Sequence, residues 1–327
     1  MNIDIHSHFF PLDAFRKADK YRETAPKVTL ENGRYAVASG RGKRGNLSEG
    51  AYDPDARIRE LDRMSIDIQA ISPSPILLFY SDHPDSAAYF SRLQNEAICE
   101  VVRGYPDRFV GFGTVSLQSI PEAISLAKEA KNLGLNGLEI GTNVEGKALD
   151  DPEFEPFFET VQRLDQLLFI HPIEAGGAEG DLFKVMLGNV LEFTYQTTLM
   201  VERMILKGIF EKYPNLRLCL AHGGGFLPYN IWRLDHAYSQ SSDFRKNIPK
   251  RPSEYLKQIY FDSIVHSVLA LHYLVQAVGP DRVVIGTDYP MAMGDTEPVP
   301  KINALHSISE EERAQILGKT AAKILQL

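Results

Sequence analysis

Residues 2–11 read NIDIHSHFFP, a short apolar run of β-type composition that ends in a His-x-His pair. Seven further runs of this kind follow, at 66–72, 109–115, 137–140, 167–171, 216–222, 258–263 and 282–287. Most are followed by a longer stretch with helical spacing, and that alternation argues for parallel strands joined by crossover helices. Counting 2–6 as the first, eight strands are expected, the number that closes a (β/α)8 barrel. The expected fold class is therefore α/β, a TIM barrel, with residues 1–327 forming one domain.

Segments 54–64, 86–105, 121–133, 152–165, 191–213 and 269–278 read as helices. Asp53-Pro54 and Asp151-Pro152 each put an N-cap acceptor ahead of a proline at the first helical position, while Gly134 and Gly279 stand where a helix should end. A last helix is expected over 309–327, where Ser309 and Glu312 offer a capping box. Two segments break the rhythm: an insertion after strand one, about 9–52, containing GRGKRGN at 40–46, and a glycine-containing stretch at 172–190. Both follow strands, so both are expected over the C-terminal face of the barrel, where active sites form. The plainer alternative is two flexible loops.

The 35 Lys and Arg residues against 43 Asp and Glu give a formal charge of −8, which opposes a basic nucleic-acid binder. A chain that is 44% hydrophobic and 24% charged has the composition of a protein with a sizeable core. Only Cys99 and Cys219 are present, too few and too far apart for a disulfide framework or a cysteine-ligated zinc. No uncharged apolar run reaches the roughly 18 residues of a membrane span, and MNIDIHSHFFP carries no secretory signal, so a soluble cytoplasmic protein is expected. A G-x-G-x-x-G fingerprint is missing, and no organic redox cofactor is expected.

Four motifs stand at predicted strand ends: His6-Ser7-His8, His171-Pro172, His222-Gly223-Gly224-Gly225 and Gly286-Thr287-Asp288-Tyr289-Pro290. A barrel gathers those ends onto one rim. Alternation along a strand sends both imidazoles of His-x-His to one side, where His171 adds a third nitrogen and Asp288 a carboxylate. Three nitrogens and one oxygen suit a divalent ion, zinc first and manganese or another as the alternative. His222 is a further ligand, a structural histidine, or an acid/base group working near neutral pH. The three glycines after it form either an anion cradle of backbone N–H groups or only a tight turn. Arg233 is a candidate for gripping a substrate carboxylate, with a surface salt bridge as the alternative. Glu139, ending strand four, is a second acid that would bind substrate or a proton, with pairing to a nearby Lys or Arg as the alternative; His266, just past strand seven, is a candidate substrate contact; His83, His236, His272 and His306 read as solvated or loop residues.

These residues resemble the amidohydrolase superfamily, specifically its 2-amino-3-carboxymuconate 6-semialdehyde decarboxylase-like branch. The resemblance runs from DIHSHFFP through DPDARIRELDRMSIDIQAIS and NGLEIGTNV, and is densest from FIHP through LCLAHGGGFLPY, WRLDHAY, RPSEYL, IYFDS and DRVVIGTDYP. It implies one divalent metal on His6, His8, His171 and Asp288, with His222 assisting metal-bound water or protonating substrate. Arg233 matches an arginine that reaches a substrate carboxylate across a homodimer interface, so a homodimer is implied. The family's other carboxylate-binding arginine precedes a CWDP-like motif; this chain reads SEGAYDP, with Ser48 near that position and Arg44 four residues earlier as the replacement candidate. Glu139 stands where the namesake enzyme has an uncharged amide, and His266 where it has an aromatic residue.

The expected activity is metal-dependent, non-oxidative decarboxylation of an unsaturated or aromatic carboxylic acid, with His222 and Asp288 as catalytic groups. The same constellation also suits a hydrolase or hydratase acting on a lactone, amide or conjugated acid. A noncatalytic metal-binding module is the third class.

Overall fold

A computed structural model describes residues 1–40, 42–174 and 187–327. Eight parallel strands follow one another around its centre: β1 (Ile3–Asp4), β2 (Ile68–Pro73), β3 (Phe109–Thr114), β4 (Gly137–Gly141), β5 (Leu167–His171), β6 (Arg217–Leu220), β7 (Ile259–Asp262) and β8 (Val283–Val284). The circle closes where Asp4 bridges Ile285 and the Ile5 N–H donates to the Ile285 carbonyl at 2.9 Å. The expected (β/α)8 barrel is what forms. Its first and last strands are shorter than expected, because past Asp4 and Val284 their pairing is reduced to isolated bridges, Asp4 with Ile285 and Ser7 with Tyr289.

Two apolar layers hold this architecture together. Inside the barrel, Ile5, Ala70, Phe112, Phe169, Cys219 and Val284 pack with no solvent contact. Outside it, strand residues such as Leu138, Leu168 and Phe261 meet the inner faces of the helices. Alternation of side-chain direction along each strand separates the two sets.

The helices are α1 (Pro54–Arg63), α2 (Pro84–Gly104), α3 (Ile120–Leu133), α4 (Glu155–Arg163), α5 (Phe193–Leu206), α6 (Leu227–Gln240) and α7 (Val268–Val278). Asp53 caps α1 by accepting the Ala56 N–H at 2.9 Å, and Gly134 ends α3 in the left-handed region at φ 89°. The run expected over 191–213 is not one helix: a π turn (Gly188–Glu192) leads into α5, and the chain breaks at Gly208 before Ile209–Lys212. The terminal helix is likewise divided, Glu310–Ala314 and Thr320–Leu325 flanking a π turn at Gln315–Lys319. Gly318 lies there against the N-terminus, where a Cβ would come within 2.2 Å of the Met1 carbonyl. Thr320–Leu325 then covers the lower mouth of the barrel, taking hydrogen bonds from Asn136 to the Leu325 carbonyl and from Arg217 to the Ile324 carbonyl.

The insertion over 9–52 is a folded unit rather than a loose loop. It carries a short helix (Leu12–Arg16) and a three-stranded antiparallel sheet, Lys27–Glu31, Arg34–Ser39 and Gly42–Arg44. Phe10, Phe15, Val37 and Leu47 form its own core against Phe79 and Phe90. Most of the second expected insertion, 172–190, lies outside the described residues.

Candidate metal centre and cavity

The first strand bends away from β1 after Asp4 and pairs again at His8–Phe9 with Ser72–Pro73. Between these points His6 and His8 turn inward, fully buried, with their Nε2 atoms 3.3 Å apart, while Ser7 points away and donates to the Ala70 carbonyl at 2.7 Å. Asp288 meets them from the β8 end: its Oδ1 lies 3.4 Å from His6 Nε2 and 3.1 Å from His8 Nε2. One donor atom from each of His6, His8, His171 and Asp288 falls within 4.8 Å of all the others. Asp288 Oδ1 is buried without a hydrogen-bond partner, which a cation would supply. Three imidazole nitrogens and a carboxylate oxygen converging on one point fit a divalent metal site.

Each ring is held from behind. His6 Nδ1 faces the Asp262 carboxylate at 2.5 Å, His8 Nδ1 the Pro73 carbonyl at 3.2 Å, and His171 Nδ1 the Pro172 carbonyl at 2.8 Å. An acceptor at Nδ1 fixes the tautomer that leaves Nε2 free as a donor to metal. Asp262 is itself saturated by the backbone N–H groups of His222, Gly223 and Ile264 at 2.9, 2.7 and 3.1 Å. The sequence reading missed Asp262 as a site residue, although it ends strand seven within IYFDS, a position as informative as the other strand ends.

Electrostatics follow from this geometry. Burial opposes charge on His6, but its contacts with Asp262 and Asp288 outweigh that and raise its pKa to about 10. His8 is also raised: burial is overcome by Glu139 and Asp288. His171 moves the other way, well below the usual imidazole range, through burial and then the neighbouring His8, His222 and His6. Asp288, despite burial, is held well below the carboxylate range by His222, His6 and His8.

Arg57, also missed, is fully buried beneath this rim. It donates to the Gly50 carbonyl at 2.7 Å, Ser7 Oγ at 3.2 Å, Gln69 Oε1 at 3.0 Å and the His8 carbonyl at 2.5 Å. It thus ties the His-x-His segment, β2 and the end of the insertion together.

Above the cluster lies a cavity of about 980 Å³ reached by His8, His171, Asp288, His222, Arg44 and His266. Its remaining walls are mostly apolar, with Phe193, Phe226, Ile264, Val265 and Met291 among them. His222 keeps 17% of its side chain exposed, has Nε2 3.8 Å from Asp288 Oδ2, and leaves a buried Nδ1 without a partner. Its ring lies nearly parallel to that of Phe193, at 11°. Arg44, at the end of the insertion's third strand, also has a buried Nε without a hydrogen-bond partner. His266 stands exposed at the rim.

Two candidate contacts are placed elsewhere. Arg233 is exposed on α6 and does not line the cavity of its own chain. Glu139 is fully buried beneath the cavity, its Oε2 3.6 Å from His8 Nδ1, and does not line it either. The three glycines after His222 form a tight turn and not an anion cradle: their N–H groups are taken by Asp262, Ala221 and His222. At Gly225, φ 67°, a Cβ would come within 2.2 Å of the Thr194 carbonyl.

A family model described as Amidohydrolase matches residues 3–327. The chain is 34% identical over 333 residues to a 2-amino-3-carboxymuconate-6-semialdehyde decarboxylase of Dictyostelium discoideum, covering 100% of this chain and 92% of that protein. It is 28% identical to a gamma-resorcylate decarboxylase of a Polaromonas species, covering 84% of this chain and 87% of that protein. A crystal structure of 5-carboxyvanillate decarboxylase from Novosphingobium aromaticivorans, complexed with manganese and 4-hydroxy-3-methoxy-5-nitrobenzoic acid, superposes with a TM-score of 0.81 at 26% identity, covering 100% of this chain and 96% of that one.

Proposed function

The chain belongs to the amidohydrolase family, and from that premise we propose that it is a metal-dependent, non-oxidative decarboxylase of an unsaturated or aromatic carboxylic acid. One observation carries the reading: a largely apolar cavity brings together His8, His171 and Asp288 of the candidate metal site, the partly exposed His222 and Arg44, whose Nε is unpartnered. Such a cavity selects a substrate that is flat and apolar over most of its surface and anionic at one end.

His6, His8, His171 and Asp288 would hold the cation, which when bound supplies electrostatic stabilisation to charge developing on a substrate oxygen. Arg44 takes a carboxylate through its guanidinium. The bond from the carboxyl carbon to the ring or chain carbon breaks, carbon dioxide departs, and the electron pair stays on the carbon left behind. That carbon takes a proton from His222, whose Nε2 lies 3.8 Å from Asp288 Oδ2. Phe193, Val265 and Met291 keep bulk water from the reacting carbon, so the proton comes from one placed group. His266 contacts the outer end of the substrate.

The donor set supports zinc, with manganese as the other expected outcome of elemental analysis. A homodimer is supported by an apolar patch beside Arg233: Tyr229 is 75% and Trp232 50% exposed on α6, next to Leu269 and Tyr273 of α7. In that assembly Arg233 of one chain serves the cavity of the other. The reading includes a single domain over 1–327 and a cytoplasmic location; no helix among the described residues is long and apolar enough to cross a membrane.

A substrate panel tests the activity, using 2-amino-3-carboxymuconate 6-semialdehyde, gamma-resorcylate, 5-carboxyvanillate, simple lactones and amides. One carbon dioxide released per acid consumed is the expected result. Ring opening or water addition without carbon dioxide would replace it with a hydrolase or hydratase.

A further inference from the structure

Glu139 is fully buried on β4, and neither Oε1 nor Oε2 has a hydrogen-bond partner. Register places it between Thr114 of β3 and Phe169 of β5; Thr114 donates to its backbone carbonyl and leaves the carboxylate alone. Among the described residues its one ion pair is with Nδ1 of His8, at 3.6 Å, on the ring edge opposite the converging Nε2. A carboxylate stripped of water with both oxygens unsatisfied is strongly unfavourable unless positive charge lies close by.

The two histidines of the His-x-His pair are backed unequally. His6 has a carboxylate at 2.5 Å, saturated by three backbone N–H groups. His8 has a carbonyl at 3.2 Å and an unsatisfied carboxylate only slightly farther away. Among the described residues no cation other than His8 stands within ion-pair distance of Glu139, and it lies outside the cavity a substrate would enter.

We propose that Glu139 is a positioning residue for the metal: its carboxylate stands behind His8 Nδ1 and tightens cation binding through that ring. The proposal rests on the metal-site reading above. A carboxylate behind a ligating imidazole orients the ring and makes it a better donor, and loss of such a partner weakens binding about 10- to 100-fold. An isosteric neutral amide keeps the shape and removes the charge.

The test compares wild type with Glu139→Gln and Glu139→Leu. Zinc and manganese affinities are measured by competition with a chromophoric chelator, and melting temperatures are recorded for metal-free and metal-loaded protein. Wild type is expected to bind one ion, with both variants roughly 10- to 100-fold weaker. Metal-free Glu139→Gln is expected to fold and to gain less on loading than wild type. A residue that merely filled space would leave affinity unchanged in the isosteric Glu139→Gln. Equal affinities would overturn the proposal. Wild type that takes up no metal would remove the metal-site reading itself, a separable result.

Discussion

His6, His8 and His171 each give one ring nitrogen to an acceptor behind them and turn the other toward Asp288, so the donors converge on one point. His6→Ala and Asp288→Ala are expected to lose metal and turnover together. His222→Ala should keep metal and lose turnover by about 10²- to 10⁴-fold, the scale of one acid/base group. Parallel metal titrations and kinetics check this, and full activity in metal-depleted protein would sink the site. A pH dependence follows from His6, whose pKa of about 10 leaves it protonated at neutral pH without metal. Uptake then releases protons, so affinity should rise from pH 6 to pH 8; calorimetry in buffers of different ionisation enthalpy reads the protons directly. Because this pKa is raised above its unfolded value, it stabilises metal-free protein fully below about pH 6.5 and the gain is lost as pH rises toward about 10. Metal loading should remove that slope. The four ligands and His222 were legible in the sequence because each terminates a strand. Asp262 ends β7 in an equivalent place, but its role in backing His6 depends on a contact 256 residues away in sequence.

Among the elements, α1 does more than cross from β1 to β2. Its Asp53 cap and Pro54 set the first turn, and that turn delivers Arg57 under the rim, where burial lowers its pKa to about 10 yet leaves it charged at neutral pH. Arg57→Met would strand the carbonyls of Gly50 and His8 and the side chains of Ser7 and Gln69. At about 1–3 kcal/mol per abandoned buried group, a loss of at least about 3 kcal/mol is expected in denaturant titration, together with weaker metal binding. A change below about 1 kcal/mol with unaltered metal affinity would contradict this account. The insertion shows where pattern reading stopped short. Asn32 and Gly33, φ 51° and 78°, make the turn between Lys27–Glu31 and Arg34–Ser39, and an Asn-Gly between β-rich runs is a strong hairpin signal. The sheet that carries Arg44 lies within a segment expected only as a long connection. Helix breaks at the π turns and at Gly208 were not legible, because packing against neighbours selects them and the helical spacing passes through unchanged.

At the scale of the whole molecule, the barrel confines the chemistry to one end. Thr320–Leu325 closes the lower mouth, and the insertion with α6 and α7 walls the upper one. The exposed Tyr229, Trp232 and Leu269 leave one flank apolar, and light scattering is expected to give the mass of two chains. Trp232→Glu should shift that mass toward one chain and reduce activity along with it, since Arg233 would lose its partner cavity. A wild-type monomer with full activity would exclude this assembly. By itself the sequence determined the barrel and the identity of the metal donors, because strand periodicity and the chemistry of strand ends are local properties that a single chain displays. Tertiary structure alone decided that Asp262 backs His6, that Arg57 locks the rim, that Arg44 reaches the cavity while Arg233 does not, and that Glu139 lies buried behind His8. Those facts depend on which distant strands and loops become neighbours and on which side chains lose their water, and neither is written in any local run of residues.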